Sequence, residues 1–290
     1  MSYCICVSGA LGLTVLQRLV ASPITIKCVL TDRHSVGIIE YCDQQQLLVF
    51  AGNPRNGKAV CWLDEQKIEF ENLLSINYLF ILEPDVLNKA TGYAVNFHGS
   101  LLPKYRGRTP HVWAIINGEK ETGVTAHLMN ANCDDGDIVQ QVIVPIKEED
   151  TGAAILEKYK ALYPGLVLQV VEDIENGKVK CRKQDISKAT YFGKRTPEDG
   201  QINWDWQKER IRNWVRAQAN PYPGAFTFLN NNKIIINKIE YSDFGFQDTM
   251  ENGLVVAVID GIPYVKTQNG VVKIDDFEPE VAIKKGDIIS

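Results

Sequence analysis

The sequence predicts an α/β domain followed by a smaller β domain, and three features of the chain support this. An apolar run at residues 3–7 ends in a glycine turn and precedes apolar residues at helical spacing, which is how an α/β sheet begins. Further apolar runs alternate with helical segments up to about residue 150. From about residue 224 the runs are short and separated by turn residues, which is typical of a small β-barrel. We therefore expect one domain at residues 1–190, and a linker with a β domain at residues 191–290.

The individual elements are predicted in chain order. The expected strands of the first domain, in a mainly parallel sheet, are residues 3–7, 24–30, 75–82, 93–98 and 124–129. A long helix is expected at residues 151–175, with Thr151 as its N-cap and Gly177 as its stop. Residues 181–205 are polar and are expected to form an irregular linker on the surface. The β domain has turn signals at Asn230–Asn232, Asp260-Gly261 and Asn269-Gly270.

Composition limits the class of protein. Of the 290 residues, 45% are hydrophobic and 23% charged, which is ordinary for a globular protein and excludes disorder. The net charge of -5 disfavours a protein whose main function is to hold a nucleic-acid backbone. The seven cysteines are odd in number and include no CxxC pair, which suits a reducing compartment. The first residues resemble no signal peptide, and no apolar run reaches about 18 residues. We expect a cytoplasmic protein without a membrane span.

The most informative segment for chemistry is residues 96–107, which contains Asn96 and His98. Residues two apart in a strand point to the same side, and ligands of open α/β sheets bind beyond the carboxyl ends of the strands. A histidine can take a proton from an attacking nucleophile, while an asparagine amide can stabilise the oxyanion that forms. The alternative is an ordinary histidine in a turn at the end of a strand.

A second cluster, residues 132–137, places three carboxylates around one glycine, after the strand at 124–129. One of these carboxylates can orient His98 and favour its charged form. The alternative is a solvated acidic turn, since three acids are too few for a calcium loop.

Several residues are candidates for holding phosphates. Lys104, Arg106 and Arg108 lie beside the proposed site in the sequence, and Arg55 lies in a turn at residues 52–57. Ser8 and Gly9 begin a glycine turn that is a weak phosphate cradle, since it is not GxGxxG. A nicotinamide dehydrogenase is poorly supported for the same reason.

Together these motifs resemble the folate-dependent formyltransferases. The resemblance rests on Asn96-x-His98, the run Ser-Leu-Leu-Pro-Lys-Tyr-Arg-Gly at 100–107, Gly-Val-Thr at 123–125 and Asp-Asp-Gly at 134–136. It continues through Arg-Thr-Pro-Glu-Asp-Gly at 195–200, Trp204 and residues 216–226, and it covers roughly residues 1–280. It implies a Rossmann-like catalytic domain followed by an OB-like β-barrel.

The resemblance also implies the chemistry and the residues that perform it. The expected reaction is transfer of a formyl group from N10-formyltetrahydrofolate, a co-substrate, to a primary amine, with no metal. His98 would be the general base, Asn96 would hold the oxyanion, and Asp134 would orient His98. The expected folate contacts are Phe80, Ile81, Leu82, Val86, Asn132 and Asp137. The expected substrate contacts are Ser8, Gly9, Arg55, Lys104 and Arg108.

The substrate that carries the acceptor amine is predicted from features that differ among the members of this family. Residues 191–290 carry 12 Lys or Arg and 14 Asp or Glu, which disfavours methionyl-tRNA as the substrate without excluding it. The glycinamide ribonucleotide enzymes usually lack such a β domain. The run from His98 to Arg108 is especially similar to the nucleotide-sugar N-formyltransferases of surface glycan synthesis. The sequence therefore favours a nucleotide-linked amino-deoxysugar, with methionyl-tRNA formyltransferase as the alternative. A catalytically inactive folate- or nucleotide-binding member is a further alternative, and the β domain can serve a homodimer.

Overall fold

A computed structural model describes residues 1–279 and 282–290, which form two compact units. The first unit consists of Met1–Gly107, Gly123–Val144 and Lys158–Phe192. The second consists of Arg108–Thr122, Pro145–Glu157 and Gly193–Ser290. Two short segments before Gly193 thus belong to the same unit as the C-terminal part of the chain.

The strands are β1 (Ser2–Val7), β2 (Thr25–Thr31), β3 (Val49–Ala51), β4 (Asn72–Ile76), β5 (Ala94–His98), β6 (Arg106–Gly107), β7 (Glu121–Leu128), β8 (Ile138–Pro145), β9 (Tyr191–Phe192), β10 (Ala225–Leu229), β11 (Asn232–Ser242), β12 (Val255–Ile259), β13 (Ile262–Thr267) and β14 (Gly270–Glu278). The α-helices are α1 (Gly9–Val20), α2 (Val36–Gln44), α3 (Lys58–Glu65), α4 (Pro84–Leu87), α5 (Pro110–Ile116), α6 (Gly152–Glu175) and α7 (Lys208–Gln218).

The first unit is built on a sheet with the strand order β3-β2-β1-β4-β5-β7-β8. Strands β1 to β5 pair in parallel, and β7 pairs antiparallel with β5. The inner strand β1 is buried from Tyr3 to Val7, as expected of a parallel strand that is covered on both faces. This order is that of a Rossmann-like sheet and confirms the predicted fold class.

The strand predicted at residues 75–82 is wrong in its second half. β4 ends at Ile76, and Asn77 has a left-handed φ of 52°. The Asn77 side-chain amide donates to the Ser8 carbonyl at 2.9 Å, which ties the end of β4 to the end of β1. Leu79 is 47% exposed. The apolar run therefore leaves the sheet after Ile76 and continues as a loop at the carboxyl edge of the sheet.

The long helix agrees with its predicted signals. The Ala154 N–H donates to Thr151 Oγ1 at 3.1 Å, as expected of an N-cap residue. After Glu175 the chain turns at Gly177, which has a φ of 63°. Within the described ranges 1–279 and 282–290, no helix is both long and apolar enough to cross a membrane.

The second unit contains an antiparallel sheet with the order β10-β11-β14-β13-β12. The predicted turns connect its strands: Asn230 and Asn231 join β10 to β11, and Asp260 and Gly261 join β12 to β13. All four residues have positive φ, which two-residue hairpin turns require and which Asn, Asp and Gly adopt most readily. The small β domain expected from the turn signals is confirmed.

Candidate active site

The candidate site lies where β5 and β7 meet in the first unit. Asn96 and His98 are two residues apart near the end of β5, so their side chains leave the same face of the strand. The antiparallel register places His127 of β7 opposite Asn96, and Thr125 opposite His98. Asp134 follows in the connection between β7 and β8. The site therefore draws on two neighbouring strands and one loop.

The structure brings together the three residues that the sequence analysis selected. His98 Nδ1 lies 3.6 Å from Asp134 Oδ2, and Asn96 Nδ2 lies 3.5 Å from Asp134 Oδ1. His98 and Asp134 are buried, while Asn96 is half-buried. A histidine, an asparagine amide and a carboxylate thus lie within one small polar cluster.

The hydrogen bonds of His98 determine which of its nitrogens is basic. His98 Nε2 lies 2.8 Å from the Tyr105 carbonyl oxygen, and a carbonyl can only accept, so Nε2 carries the hydrogen. In the neutral ring, Nδ1 is therefore the nitrogen with a free lone pair. Burial lowers the pKa of His98 below its usual value, while the charge of Asp134 opposes that shift. His98 is neutral at pH 7 and can accept a proton at Nδ1.

Asp134 is held in its ionised form. Burial alone would raise the pKa of Asp134, but the charge that His98 carries when it is protonated, the hydrogen bond from the protonated side chain of His127 and the Gly107 N–H hold that pKa well below its usual range. The Gly107 N–H donates to Asp134 Oδ2 at 2.9 Å. A fixed negative charge beside Nδ1 stabilises the imidazolium that forms when His98 accepts a proton.

The polar segment that was expected to be an irregular linker instead supports the site over its first part. Gln184 is buried, and its amide donates to the carbonyls of Asp134 and Gly136 at 2.9 and 2.8 Å. Its Oε1 accepts from Arg106 at 3.2 and 2.6 Å. Strand β9 pairs with β6, and the Tyr105 N–H donates to Thr190 Oγ1 at 2.8 Å. Residues 185–191 are mostly exposed and contain no long element, as predicted for a surface linker, but Gln184 is buried and residues 191–192 form strand β9.

Arg106 does not fit its predicted role as a phosphate contact. Its side chain is 4% exposed and is engaged by Gln184 and by the ring of Tyr191, whose centroid lies 5.6 Å from the guanidinium carbon. Arg106 therefore holds the side chain of Gln184, which in turn binds the carbonyls of the Asp134 loop.

The predicted folate contacts lie in two loops of the first unit. Phe80 is half-buried and Ile81 is exposed, whereas Leu82 and Val86 pack in a hydrophobic cluster with Cys4 and Leu73. Phe80 also lines a cleft of 860 Å³ at the ends of β2 and β3, together with Phe50, Trp62, Arg33 and Lys58.

The other two predicted folate contacts are in the loop of Asp134. The exposed Asn132 side chain donates to Asp135 at 2.9 Å, and the Asp137 carbonyl accepts from the Leu128 N–H at 2.9 Å. The assignment of all six residues to folate stays a prediction.

The predicted substrate contacts are spread over three places. Ser8 is buried and precedes α1. The Gly9 N–H donates to Ser35 Oγ at 2.8 Å, so one backbone donor of the predicted phosphate cradle is already occupied. Arg55 and Lys104 are exposed residues of the first unit, and Arg108 is an exposed residue of the second. Their role toward a substrate stays a prediction.

Sequence reasoning missed His127 and Gln184. His127 lies in the strand predicted at 124–129, but its position opposite Asn96 depends on an antiparallel pairing that periodicity does not reveal. Gln184 lies in a segment with no apolar pattern, so only its distant partners reveal its role. The one available signal for His127 was its alternation with Thr125, which puts both side chains on the same face of β7.

A neutral histidine base, an amide donor and an ionised carboxylate at the edge of an α/β sheet form a site for nucleophilic attack on a carbonyl carbon. The class defined by fold and site is thus an acyl-transfer enzyme. Residues 51–171 match the family model described as formyl transferase, and residues 194–284 match that of the formyl transferase C-terminal domain. The chain belongs to the formyltransferase family, which confirms the predicted enzyme class.

Several solved structures have the same fold. An N-formyltransferase from Helicobacter canadensis, in complex with folinic acid and dTDP-3-aminofucose, is 19% identical over 94% of this chain and 97% of that chain, with a TM-score of 0.74. A sugar N-formyltransferase from a Shewanella species is 24% identical over 81% and 96%, with a TM-score of 0.66. HypX from Aquifex aeolicus, in complex with tetrahydrofolic acid, is 18% identical over 99% of this chain but 45% of its own, with a TM-score of 0.60.

Proposed function

We propose that this protein transfers the formyl group of N10-formyltetrahydrofolate to the primary amine of a nucleotide-linked amino-deoxysugar. The observation that carries the proposal is the cluster of His98, Asn96 and Asp134, with His98 Nδ1 as the accepting nitrogen 3.6 Å from an ionised carboxylate. Both family models match the chain, so the catalytic domain and the C-terminal domain are present together.

The proposed reaction proceeds by addition and elimination at the formyl carbon. The amine nitrogen attacks that carbon, and Asn96 Nδ2 donates to the oxygen as it becomes negative. His98 Nδ1 takes the proton that the amine loses, and Asp134 stabilises the resulting imidazolium. The bond to the folate N10 then breaks, and the proton is returned to that nitrogen. The products are an N-formylated sugar nucleotide and tetrahydrofolate, and no electrons are exchanged.

Two observations favour a sugar nucleotide over a nucleic acid as the acceptor. The Shewanella relative is a sugar N-formyltransferase, and the N-formyltransferase from Helicobacter canadensis was solved in complex with dTDP-3-aminofucose; the chain spans 96% and 97% of them. The net charge of the chain is -5, and its last hundred residues are also acidic, whereas binding of a polyanion requires a basic surface.

A substrate panel tests the proposal. The purified protein is supplied with N10-formyltetrahydrofolate and with UDP-, dTDP- or CMP-linked amino-deoxysugars, and release of tetrahydrofolate is followed. We expect release with at least one sugar nucleotide and none with charged initiator tRNA. Release with tRNA alone would contradict the choice of substrate but leave formyl transfer intact.

A further inference from the structure

One buried histidine of the site has no part in the reaction described above. His127 is 3% exposed and touches both Asn96 and Asp134. Its Nε2 lies 3.1 Å from Asn96 Nδ2 and 3.5 Å from Asp134 Oδ1. A histidine in this position influences the side chain that is to stabilise the oxyanion.

The second ring nitrogen of His127 decides where its hydrogen is. His127 Nδ1 lies 2.8 Å from the Leu128 carbonyl oxygen, and a carbonyl has no hydrogen to give. Nδ1 therefore carries the hydrogen, and Nε2 of the neutral ring is an acceptor. This is the opposite tautomer to that of His98, whose hydrogen is on Nε2.

The tautomer of His127 in turn decides how the Asn96 amide is oriented. An acceptor at Nε2 attracts the NH₂ group of Asn96 and repels its carbonyl oxygen, so Nδ2 is the atom 3.1 Å away. One of the two amide hydrogens goes to His127. The other hydrogen is on the same nitrogen. Because Asn96 Nδ2 lies 3.5 Å from Asp134 Oδ1, that distance is too long for a strong hydrogen bond between them.

We propose that His127 is a positioning residue that holds the Asn96 amide with its nitrogen toward the reacting formyl oxygen. The chain of contacts runs from the Leu128 carbonyl through His127 Nδ1 and Nε2 to Asn96 Nδ2. If His127 did not accept, the amide could turn over and present an oxygen to the developing negative charge. The proposal rests on the proposed role of Asn96 in formyl transfer.

Two substitutions at one position separate positioning from folding. In His127→Asn, the short amide can still donate to the Leu128 carbonyl but leaves nothing at the place of Nε2. In His127→Gln, the longer amide places an oxygen near Nε2, where it can accept from Asn96, but loses the contact with Leu128. We expect His127→Asn to lower kcat by about tenfold to a hundredfold, with little change in KM, because a misplaced oxyanion donor costs no more than the roughly 10²–10³ that its complete loss would cost. We expect His127→Gln to stay within a few fold of the wild-type kcat.

The melting temperatures of the same pair provide the structural comparison. His127→Asn should melt at or above the temperature of His127→Gln, since it keeps the bond to the strand backbone. Stability and kcat would then rank the two variants in opposite orders. If both rank the same way, or if His127→Asn has wild-type kcat, the proposal is overturned.

A double-mutant cycle with Asn96→Ala tests whether His127 acts through Asn96. If it does, adding His127→Asn to Asn96→Ala has no further effect on kcat. Multiplied losses would show an independent role and contradict the proposal.

A measurement on the unaltered protein is independent of activity and of any variant's folding. The chain has 4 histidines, so selective nitrogen labelling gives a simple spectrum of ring nitrogens. At neutral pH we expect the hydrogen on Nδ1 of His127 and on Nε2 of His98. A hydrogen on Nε2 of His127 would overturn the proposal even if formyl transfer is intact. A hydrogen on Nδ1 of His127 in a protein that transfers no formyl group would instead contradict the proposed function.

Discussion

In the proposed reaction, His98 accepts the proton and the neighbouring Asp134 stabilises the charge that results. The Tyr105 carbonyl fixes the hydrogen of His98 on Nε2, and burial keeps the ring neutral. The carboxylate near Nδ1 offsets part of that effect and stabilises the charged form once it appears. The base is therefore neutral when the amine arrives and is stabilised after it accepts the proton.

Removal of the imidazole should abolish this function while the fold remains. We expect His98→Ala to lower kcat by about 10²–10⁴, the usual contribution of a general base, with little change in the affinity for the folate. Tetrahydrofolate release measures the rate, and fluorescence titration measures the affinity. Turnover close to wild type would remove His98 from the mechanism.

Asp134→Asn should change the pH dependence of the rate in a defined direction. The rate requires neutral His98, so kcat/KM falls as the pH drops through the pKa of His98. Because the Asp134 charge raises that pKa, its removal lowers the pKa further and moves the acid limb of the profile to lower pH. Turnover should also fall, since the imidazolium loses its partner. An acid limb that stays in place or moves to higher pH would contradict the assigned interaction.

At the scale of elements, the catalytic loop between β7 and β8 is held from two sides. Gln184 binds the loop carbonyls of Asp134 and Gly136, and β9 pairs with β6, the strand that supplies the Gly107 N–H. At Gly136 an added Cβ would lie 1.8 Å from the Leu128 carbonyl oxygen. The position of Asp134 therefore depends on a close backbone approach as well as on hydrogen bonds.

A matched pair of glycine substitutions tests this close approach. We expect Gly136→Ala to reduce the free energy of unfolding by about 3 kcal/mol and to impair turnover, because the loop must move to admit the methyl group. Gly165 is exposed in α6 with no atom within 4 Å of its Cβ position, so Gly165→Ala should stabilise the protein by about 0.5–1 kcal/mol. Urea denaturation of both variants measures the difference, and equal effects would contradict it.

For the molecule as a whole, sequence reasoning predicted the parts that depend on local pattern. Apolar periodicity located most strands and the helix α6, and the turn residues located the hairpins of the second unit. It did not locate β3, α2 and α3, which are short elements of three, nine and eight residues. Nor did it predict that Gln184 supports Asp134, because that contact joins residues 50 positions apart and depends on the folded backbone.

The acidic balance of the whole chain predicts a weak dependence on salt. A sugar nucleotide carries few phosphates, so we expect kcat/KM to fall less than about tenfold between about 50 and 200 mM salt. A polyanion bound through many phosphate contacts would lose about 10³–10⁵ in affinity over that range. A loss of that size would indicate a nucleic-acid substrate.

The most direct test of the central claim is to follow the formyl group itself. N10-formyltetrahydrofolate with an isotope-labelled formyl carbon is incubated with the protein and the sugar nucleotide that responds in the panel, and the products are separated and analysed by mass spectrometry and NMR. We expect the label on the amino nitrogen of the sugar nucleotide, in equal amount to the tetrahydrofolate released, and none with His98→Ala in the same time. Label recovered as free formate, with the sugar nucleotide unlabelled, would contradict it.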